Sequence, residues 1–266
     1  MNLTLARTTW SLLLALAAAT PALAAYDIIP TAVGNKWEYD TVKILHASVM
    51  YQGKQMSEMR DASYGSSVYE VLSADAKAPG VVNYVEKTTT WSVNGGDADT
   101  NKTEIRLATD DAGLKIMATT SDPSNGSKPE TQSYDPALLY FVRGAEAGKS
   151  WDVGTMRDGE SINPMTAKAA GRETVTVPAG TFKNCLKVVY SGDNIAGTMD
   201  MWGKTFTLTS GKSRGVYWIA DGVGVVKELE ISTSTAETPS PEGKPLSVEA
   251  ASCTVSELRP GYVVKK

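Results

Sequence analysis

Apolar and polar residues alternate along most of the chain, which is the period-two pattern of half-buried β-strands. The clearest example lies between Arg172 and Tyr190, where Val175 and Val177 alternate with threonines and a second alternating run follows. Between the two runs, Pro178 and Gly180 occupy the second and fourth positions of a type I turn. The segment therefore predicts a β-hairpin. The predicted core face of its second strand consists of Phe182, Leu186, Val188 and Tyr190.

Further strands are predicted at short spacing on both sides of this hairpin, separated by turn signals such as Asn94-Gly95 and Asp221-Gly222. They cover roughly residues 37–51, 59–72, 81–93, 102–109, 113–120, 151–157, 161–170, 198–209, 214–220, 223–232 and 246–258. Many short strands with almost no helix are typical of an antiparallel sheet. We expect a mainly β fold, a single curved antiparallel sheet forming an open barrel or sandwich with at most one or two short helices.

Two segments depart from the strand pattern. Asp135 and Pro136 can cap and begin a helix, and an unbroken apolar run follows, so a short helix is predicted over 136–142. Residues 233–245 are rich in Thr, Ser, Pro, Glu and Gly, which predicts a flexible, solvated loop.

Residues 1–24 have the organisation of an export signal. Arg7 provides a positive charge, a short apolar run follows, and Ala22-Leu23-Ala24 is a cleavage site of the A-x-A type. Ala25 stands where a lipid-anchored product would have Cys. Some 240 residues remain, a size that a single β-domain commonly reaches. We therefore expect one domain over 25–266 in the periplasm or outside the cell, with no transmembrane segment after signal cleavage.

Charge and cysteine content narrow the choice of partners. Without Arg7, 25 Lys and Arg face 30 Asp and Glu, which gives a formal charge of 25 − 30 = −5 and disfavours a nucleic-acid partner. Cys185 and Cys253 both lie in the exported part, where an oxidising compartment favours a disulfide between them. The alternative is two separate small core residues.

The motifs that suggest chemistry lack the context that the chemistry needs. Residues 211–215 match G-x-S-x-G, but a strand pattern follows Ser213, and the only histidine, His46, lies upstream. Residues 148–150 resemble part of a phosphate loop without its first glycine. Residues 97–101 have calcium-loop spacing without the later Gly and Glu. We therefore predict no catalytic residues, no metal site and no cofactor.

Aromatic residues are the remaining candidates for a binding site. The mature chain has five tryptophans and eleven tyrosines but only three phenylalanines. In a curved sheet such rings face either an ordinary core or a ligand pocket on the concave face, with 136–142 as its plug or lid. The predicted ligand-binding residues are Trp37, Trp91, Trp151, Trp202 and Trp218.

Three short motifs also carry a resemblance to a known group. VGNKWEY at 33–39, VPAGTFKNCLKV at 177–188 and YWIADGVGVVK at 217–227 resemble the GxxWxY, vPAGtF and YWxAxGvGxVK motifs of a loosely defined set of exported bacterial proteins of unknown function. The resemblance implies a curved antiparallel sheet like that of the Lol-type lipoprotein carriers. It implies no reaction and no functional residues.

Three functions follow from these observations. The first is a non-catalytic exported protein that binds a hydrophobic or lipid-like envelope component, such as a lipid or a lipoprotein, on the concave face of the sheet. It requires an apolar cavity. The alternative is an envelope scaffold or protein-interaction module with a solid core and an uncovered apolar patch or strand edge. An enzyme is the weakest interpretation, because the sequence offers no converging set of titratable groups.

Overall fold

The computed structural model describes residues 30–123, 128–158, 160–201, 204–239 and 243–265. Within them the chain forms thirteen strands and no helix. The strands are β1 (Lys36–Tyr51), β2 (Lys54–Ala74), β3 (Val81–Ser92), β4 (Asp99–Thr109), β5 (Gly113–Pro123), β6 (Glu130–Val142), β7 (Ser150–Asp158), β8 (Ser161–Val177), β9 (Gly180–Asn194), β10 (Thr198–Met201), β11 (Lys204–Ala220), β12 (Gly224–Pro239) and β13 (Pro245–Leu258).

All thirteen strands belong to one antiparallel sheet, as predicted. Twelve of them follow each other in the order β6-β5-β4-β3-β2-β1-β13-β12-β11-β9-β8-β7, and β10 pairs only with β11. Hydrogen bonding between β1 and β13 joins the first and last strands of the chain in the middle of the sheet. The sheet curves until its edge strands β6 and β7 approach each other, which nearly closes a barrel. We call the inner face of the sheet the lumen.

Side chains close the seam between β6 and β7. The Trp151 indole nitrogen Nε1 donates a hydrogen bond to the Leu139 carbonyl oxygen at 3.1 Å, and the Tyr134 hydroxyl donates to the Arg157 carbonyl oxygen at 3.4 Å. Within the described ranges, no backbone ladder joins these two strands. The barrel therefore has a seam that depends on side-chain packing.

The predicted hairpin is confirmed, and its turn closes one end of the barrel. Val177 pairs with Gly180 across the turn, and the Ala179 amide donates a hydrogen bond to the Leu258 carbonyl oxygen at 2.9 Å. The rings of Phe182 and Tyr262 lie 6.4 Å apart beside it. On β9 the predicted core residues Leu186, Val188 and Tyr190 are buried, and Phe182 is half-buried.

The lumen contains two apolar clusters with a polar layer between them. The larger cluster fills the half of the lumen next to the Val177–Gly180 turn, which we call the closed half. Its largest fully buried side chains include Trp37, Tyr84, Tyr190, Leu107 and Ile116. The smaller cluster lies at the other end of the sheet and consists of Phe206, Ala236 and Val248 with Leu246 packed against it. In the polar layer, the hydroxyls of Thr41, Ser67, Thr88 and Ser256 form a chain of hydrogen bonds of 3.0 to 3.3 Å.

The predicted helix over 136–142 is wrong, because this segment is the second half of β6. Tyr134, Leu138 and Tyr140 are buried on one face. The segment pairs with β5, and this pairing has two register shifts. The apolar run that suggested a buried helix is a strand segment with buried or half-buried side chains on both faces. It forms part of the barrel wall, so it is neither a plug nor a lid.

The predicted loop over 233–245 also needs correction. Residues 233–239 continue β12, with 233–237 paired to both β11 and β13 and 238–239 paired to β13, and Ala236 and Thr238 are buried. Alternating Thr and Ser residues fit a strand because β-branched and hydroxyl side chains pair across a ladder. Pro245 already belongs to β13, and residues 240–242 of the predicted loop lie outside the described residues.

The predicted disulfide is not formed, and Cys185 and Cys253 are both free. Cys185 lies in β9 and Cys253 in β13, with β11 and β12 between these strands. Three strand intervals of roughly 4.8 Å each exceed the Cα separation of roughly 7 Å that a disulfide can span. The alternative interpretation of two core residues holds for Cys185, which is buried in the core, but not for Cys253, which is half-buried on the outer face.

The predicted signal, residues 1–24, lies outside the described residues. Within the described residues, no helix has the length and apolar character needed to cross a membrane.

Candidate binding surface

Apolar side chains form a continuous surface on the outside of the sheet. Cross-strand pairing places one row in register over seven strands, and this row consists of Val189, Val216, Leu229, Val255, Val42, Tyr64 and Trp91. An adjacent row, two residues further along the strands, consists of Ile231, Cys253, Ile44 and Ala62. We call these two rows the outer stripe. Its length follows from six strand intervals of roughly 4.8 Å, which gives roughly 29 Å along the curved surface.

Much of the outer stripe is uncovered. The exposed fractions of its large side chains are Val42 50%, Ile44 55%, Tyr64 56%, Trp91 38% and Ile231 43%. The rings of Tyr64 and Trp91 stack with their centroids 5.9 Å apart. Isolated exposed apolar residues are common on soluble proteins, but a contiguous patch marks an interaction surface.

The polarity of the sheet is inverted at the level of the outer stripe. In β1, Thr41 and Lys43 face the lumen while Val42 and Ile44 face outward. In β12, Glu228 and Glu230 face the lumen while Leu229 and Ile231 face outward. A strand that simply covers a core carries its apolar residues on the inner face. Here the inner face is polar and the outer face apolar, so this level of the barrel is suited to an outside partner.

An open groove lies at the β8 end of the outer stripe. It has a volume of about 710 Å³, and its lining includes Thr166, Lys168, Val189, Ser191 and Arg214. Val189 belongs to the outer stripe, so the groove and the stripe are continuous. Among the described residues, neither Lys168 nor Arg214 takes part in an ion pair. The groove therefore combines two uncompensated cations with two hydroxyl groups.

The lysines beside Trp218 on the same outer face are compensated. Lys187 Nζ lies 5.0 Å from the centre of the Trp218 ring and 3.2 Å from Glu173 Oε1. Lys227 Nζ lies 6.0 Å from the same ring and 2.5 Å from Glu257 Oε1. The Trp218 indole also donates a hydrogen bond to Glu173. These contacts lower the pKa of Glu173.

A second outer groove of about 680 Å³ lies further along the strands and has mixed charge. Its lining includes His46, Asp193, Lys212 and Glu249. His46 Nε2 lies 2.7 Å from Glu58 Oε1, and Arg60 contacts the same carboxylate at 2.6 Å. These two contacts lower the pKa of Glu58. The only histidine of the chain thus forms a hydrogen bond with a surface carboxylate.

The tryptophans predicted to bind a ligand are not brought together. Trp37 and Trp151 are buried in the core, where the Trp37 indole donates to the Val223 carbonyl oxygen at 2.6 Å. Trp151 also lines the groove at the β8 end of the outer stripe. Trp91 lies in the outer stripe, and Trp218 lies on the outer face near the stripe. Trp202 lies outside the described residues. Of the four described tryptophans, only Trp91 offers an exposed ring to a ligand at the stripe.

Three glutamates occupy the polar layer of the lumen, and of these Glu86 and Glu228 are buried and Glu230 is half-buried. Glu86 accepts hydrogen bonds from the Tyr69 hydroxyl and from Thr88 Oγ1, each at 3.0 Å. Burial raises the pKa of Glu86 to about 8. Glu230 accepts a hydrogen bond from the Tyr217 hydroxyl at 2.6 Å, and burial raises its pKa to about 8. Burial and the neighbouring Glu230 raise the pKa of Glu228 well above its ordinary value.

Burial favours the protonated form of these carboxyl groups, because removing a charged carboxylate from water is costly. Within the described residues, no group of three or more His, Cys, Asp or Glu side chains could hold a metal ion. Ser213, the centre of the G-x-S-x-G match, faces the lumen and donates a hydrogen bond to the Gly192 carbonyl oxygen at 3.2 Å. Asn163 Nδ2 donates to the Ser213 hydroxyl at 3.4 Å. This arrangement provides no general base for Ser213.

Sequence reasoning missed the outer stripe and the buried glutamates, although both leave a signal. Lys43 between Val42 and Ile44, and Glu230 between Leu229 and Ile231, show regular alternation. In a single strand, this alternation predicts that the apolar residues face a core and the charged residues face water. Only the pairing of seven strands reveals that the apolar sets share the outer face.

Comparisons with known proteins found a family match and a structural likeness. A family model described as DUF3108-like matches residues 148–232, a region that contains two of the three motifs noted in the sequence. No curated protein sequence matches the chain significantly. A crystal structure of a "putative lipoprotein" from Parabacteroides distasonis aligns with 15% identity and a TM-score of 0.30, covering 88% of this chain and 99% of that one. The resemblance to Lol-type carriers stays a prediction.

Proposed function

We propose that the protein is a non-catalytic binding protein of the cell envelope, exported to the periplasm or beyond, that holds a lipid-like ligand on the outer stripe. The observation that carries this proposal is the apolar row from Val189 to Trp91, which crosses seven strands in register and is exposed at Val42, Tyr64 and Trp91. Burying apolar surface gives about 25 cal/mol per Å². The stripe therefore offers substantial binding energy to an apolar partner.

The sequence predicts a ligand on the concave face, but the packed lumen favours a ligand on the outer face. The Tyr140 and Tyr190 rings stack 4.7 Å apart in the closed half, and Tyr217 packs edge-on against Tyr190 at 5.2 Å. Rings packed in this way leave little room for an acyl chain beside them. The outer face, by contrast, has open grooves and uncovered side chains.

Interaction with a protein partner is the second candidate function. The seam between β6 and β7 supports it, because strand edges without a ladder can pair with a strand from another chain. An uncovered apolar patch over a packed core is also typical of an interaction module. This candidate places the partner at the seam or on the stripe and needs no lipid.

Binding of a fluorescent acyl probe to the mature protein tests the proposed function. We expect the double variant Ile44→Ser/Ile231→Ser to bind the probe at least about tenfold more weakly, because each buried aliphatic side chain is worth about 1.5–3 kcal/mol. Leu72→Ser is the matched control, since Leu72 is exposed but lies outside the stripe. Equal binding by the double variant and the wild-type protein would refute the proposal.

A further inference from the structure

We propose that the groove at the β8 end of the outer stripe binds an oxyanion head group, so that the ligand is an anionic amphiphile with a phosphate or carboxylate at one end of an acyl chain. The inference rests on the proposed function, which supplies the site for the chain. It adds the chemical class of the ligand's polar end. It also fixes the direction of the ligand, with the head at β8 and the chain running toward β2 and β3.

The donors of the groove suit an oxyanion. Lys168 projects from β8 and Arg214 from β11, and β9 lies between them with Val189 and Ser191 facing the same side. A guanidinium and an ammonium together provide charge-assisted hydrogen bonds to phosphate or carboxylate oxygens. The hydroxyls of Thr166 and Ser191 add neutral donors. No carboxylate is among the groove's lining residues.

Continuity with the stripe distinguishes this groove from an ordinary basic surface. Val189 lines the groove and pairs with Val216, which pairs with Leu229. A head group between Lys168 and Arg214 therefore leaves the attached chain at the start of the apolar row. The second groove has the mixed charge of Asp193, Lys212 and Glu249, which suits an anion poorly.

The charges of the surrounding surface make the groove selective. The mature chain carries a formal charge of 25 − 30 = −5, so it does not attract anions in general. The nearby cations Lys187 and Lys227 are already paired with Glu173 and Glu257. A neutral amphiphile would leave the two groove cations without a counter-charge, and a cationic amphiphile would be repelled by them.

The test compares dodecyl phosphate, dodecanol and dodecyltrimethylammonium, each below its critical micelle concentration or solubility limit, with isothermal titration calorimetry as the readout. We expect dodecyl phosphate to bind the wild-type protein at least tenfold more tightly than the two other ligands. Lys168→Gln/Arg214→Gln should reduce this preference to less than about threefold and leave dodecanol binding unchanged. Lys77→Gln, which removes a loop cation outside the groove, should retain the preference.

The outcomes separate the two proposals. Tight binding of all three ligands without head-group preference would overturn the head-group inference and leave the stripe as the binding site. An equal loss of preference in Lys77→Gln would also overturn the inference, because general charge would then be the cause. Failure of every ligand to bind would refute both proposals. Circular dichroism of each variant verifies that it is folded.

Discussion

Glu230 and Ile231 are neighbours in β12 and lie on opposite faces of the sheet. The Glu230 carboxyl group accepts a 2.6 Å hydrogen bond from Tyr217 in the lumen, whereas 43% of Ile231 is exposed in the outer stripe. This is the reverse of the arrangement in a strand that covers an apolar core. The buried acid predicts an unusual pH dependence of stability, and the exposed isoleucine belongs to the proposed binding surface.

The first prediction concerns pH. The ordinary pKa of a Glu carboxyl is 4.5, and burial raises the pKa of Glu86 and Glu230 to about 8 in the folded protein. Between these values the unfolded chain has released protons that the folded protein retains, so the free energy of unfolding falls as pH rises from 4.5 to about 8. Urea denaturation should show lower stability at pH 8.5 than at pH 5.5.

Glu230→Gln tests the origin of this pH dependence. The amide oxygen can still accept the Tyr217 hydrogen bond, but it cannot ionise. Since one pKa unit corresponds to about 1.4 kcal/mol and the pKa rises from 4.5 to about 8, we expect the variant to gain up to roughly 5 kcal/mol in unfolding free energy at pH 8.5 and little at pH 4.5. Glu104→Gln is the control on the exposed surface. A gain that is the same at both pH values would contradict the assignment.

A second prediction separates the two classes of tryptophan. Trp37 is fully buried and donates a 2.6 Å hydrogen bond, so Trp37→Ala should lower the free energy of unfolding by about 3–5 kcal/mol. Trp91 is exposed and loses only its stacking on Tyr64, so Trp91→Ala should cost about 1 kcal/mol or less. Urea denaturation followed by circular dichroism measures both changes. Similar costs would show that Trp91 is not at the surface.

The third prediction concerns the cysteines. A thiol assay on the unfolded, unreduced protein should find two free thiols per chain. In the native protein Cys185 should react much more slowly than Cys253, because burial shields Cys185 and raises its pKa. Mass spectrometry after alkylation assigns the two rates. If the unfolded chain had no free thiols, the strand order that separates β9 from β13 by β11 and β12 would be contradicted.

The fourth prediction concerns the seam. Trp151→Phe removes the hydrogen bond to the Leu139 carbonyl and should lower the free energy of unfolding by about 1–2 kcal/mol. Amide hydrogen exchange should accelerate selectively in β6 and β7, because side chains hold these edges together. Trp218→Phe also loses an indole hydrogen bond but lies away from the seam, so it should not affect exchange there. Uniform acceleration over the whole sheet in Trp151→Phe would argue against a local seam.

Most of the fold could be predicted from local patterns. Alternation identified the strands, and Pro178 with Gly180 identified the turn that now closes one end of the barrel. The errors have physical causes. The run after Asp135 looked helical because a strand packed on both faces loses its alternation. Residues 233–239 looked like a loop because Thr and Ser favour turns and also pair well across strands.

The candidate surface could not be predicted in the same way. Trp37 and Trp91 both lie in predicted strands, yet one lies in the lumen and the other outside. Cys185 and Cys253 seemed free to meet, until the strand order put β11 and β12 between them. Each of these facts depends on residues far apart in the chain.

The sequence by itself determined that this chain forms strands, where most of them turn, and which residues alternate. The tertiary structure alone decided which of the two alternating sets became the lumen. A strand has two equivalent faces until the sheet curves and selects one as the inside. At the level of Val42 and Leu229 the curvature selected the polar set, and the apolar set was thereby left on the outside for a partner.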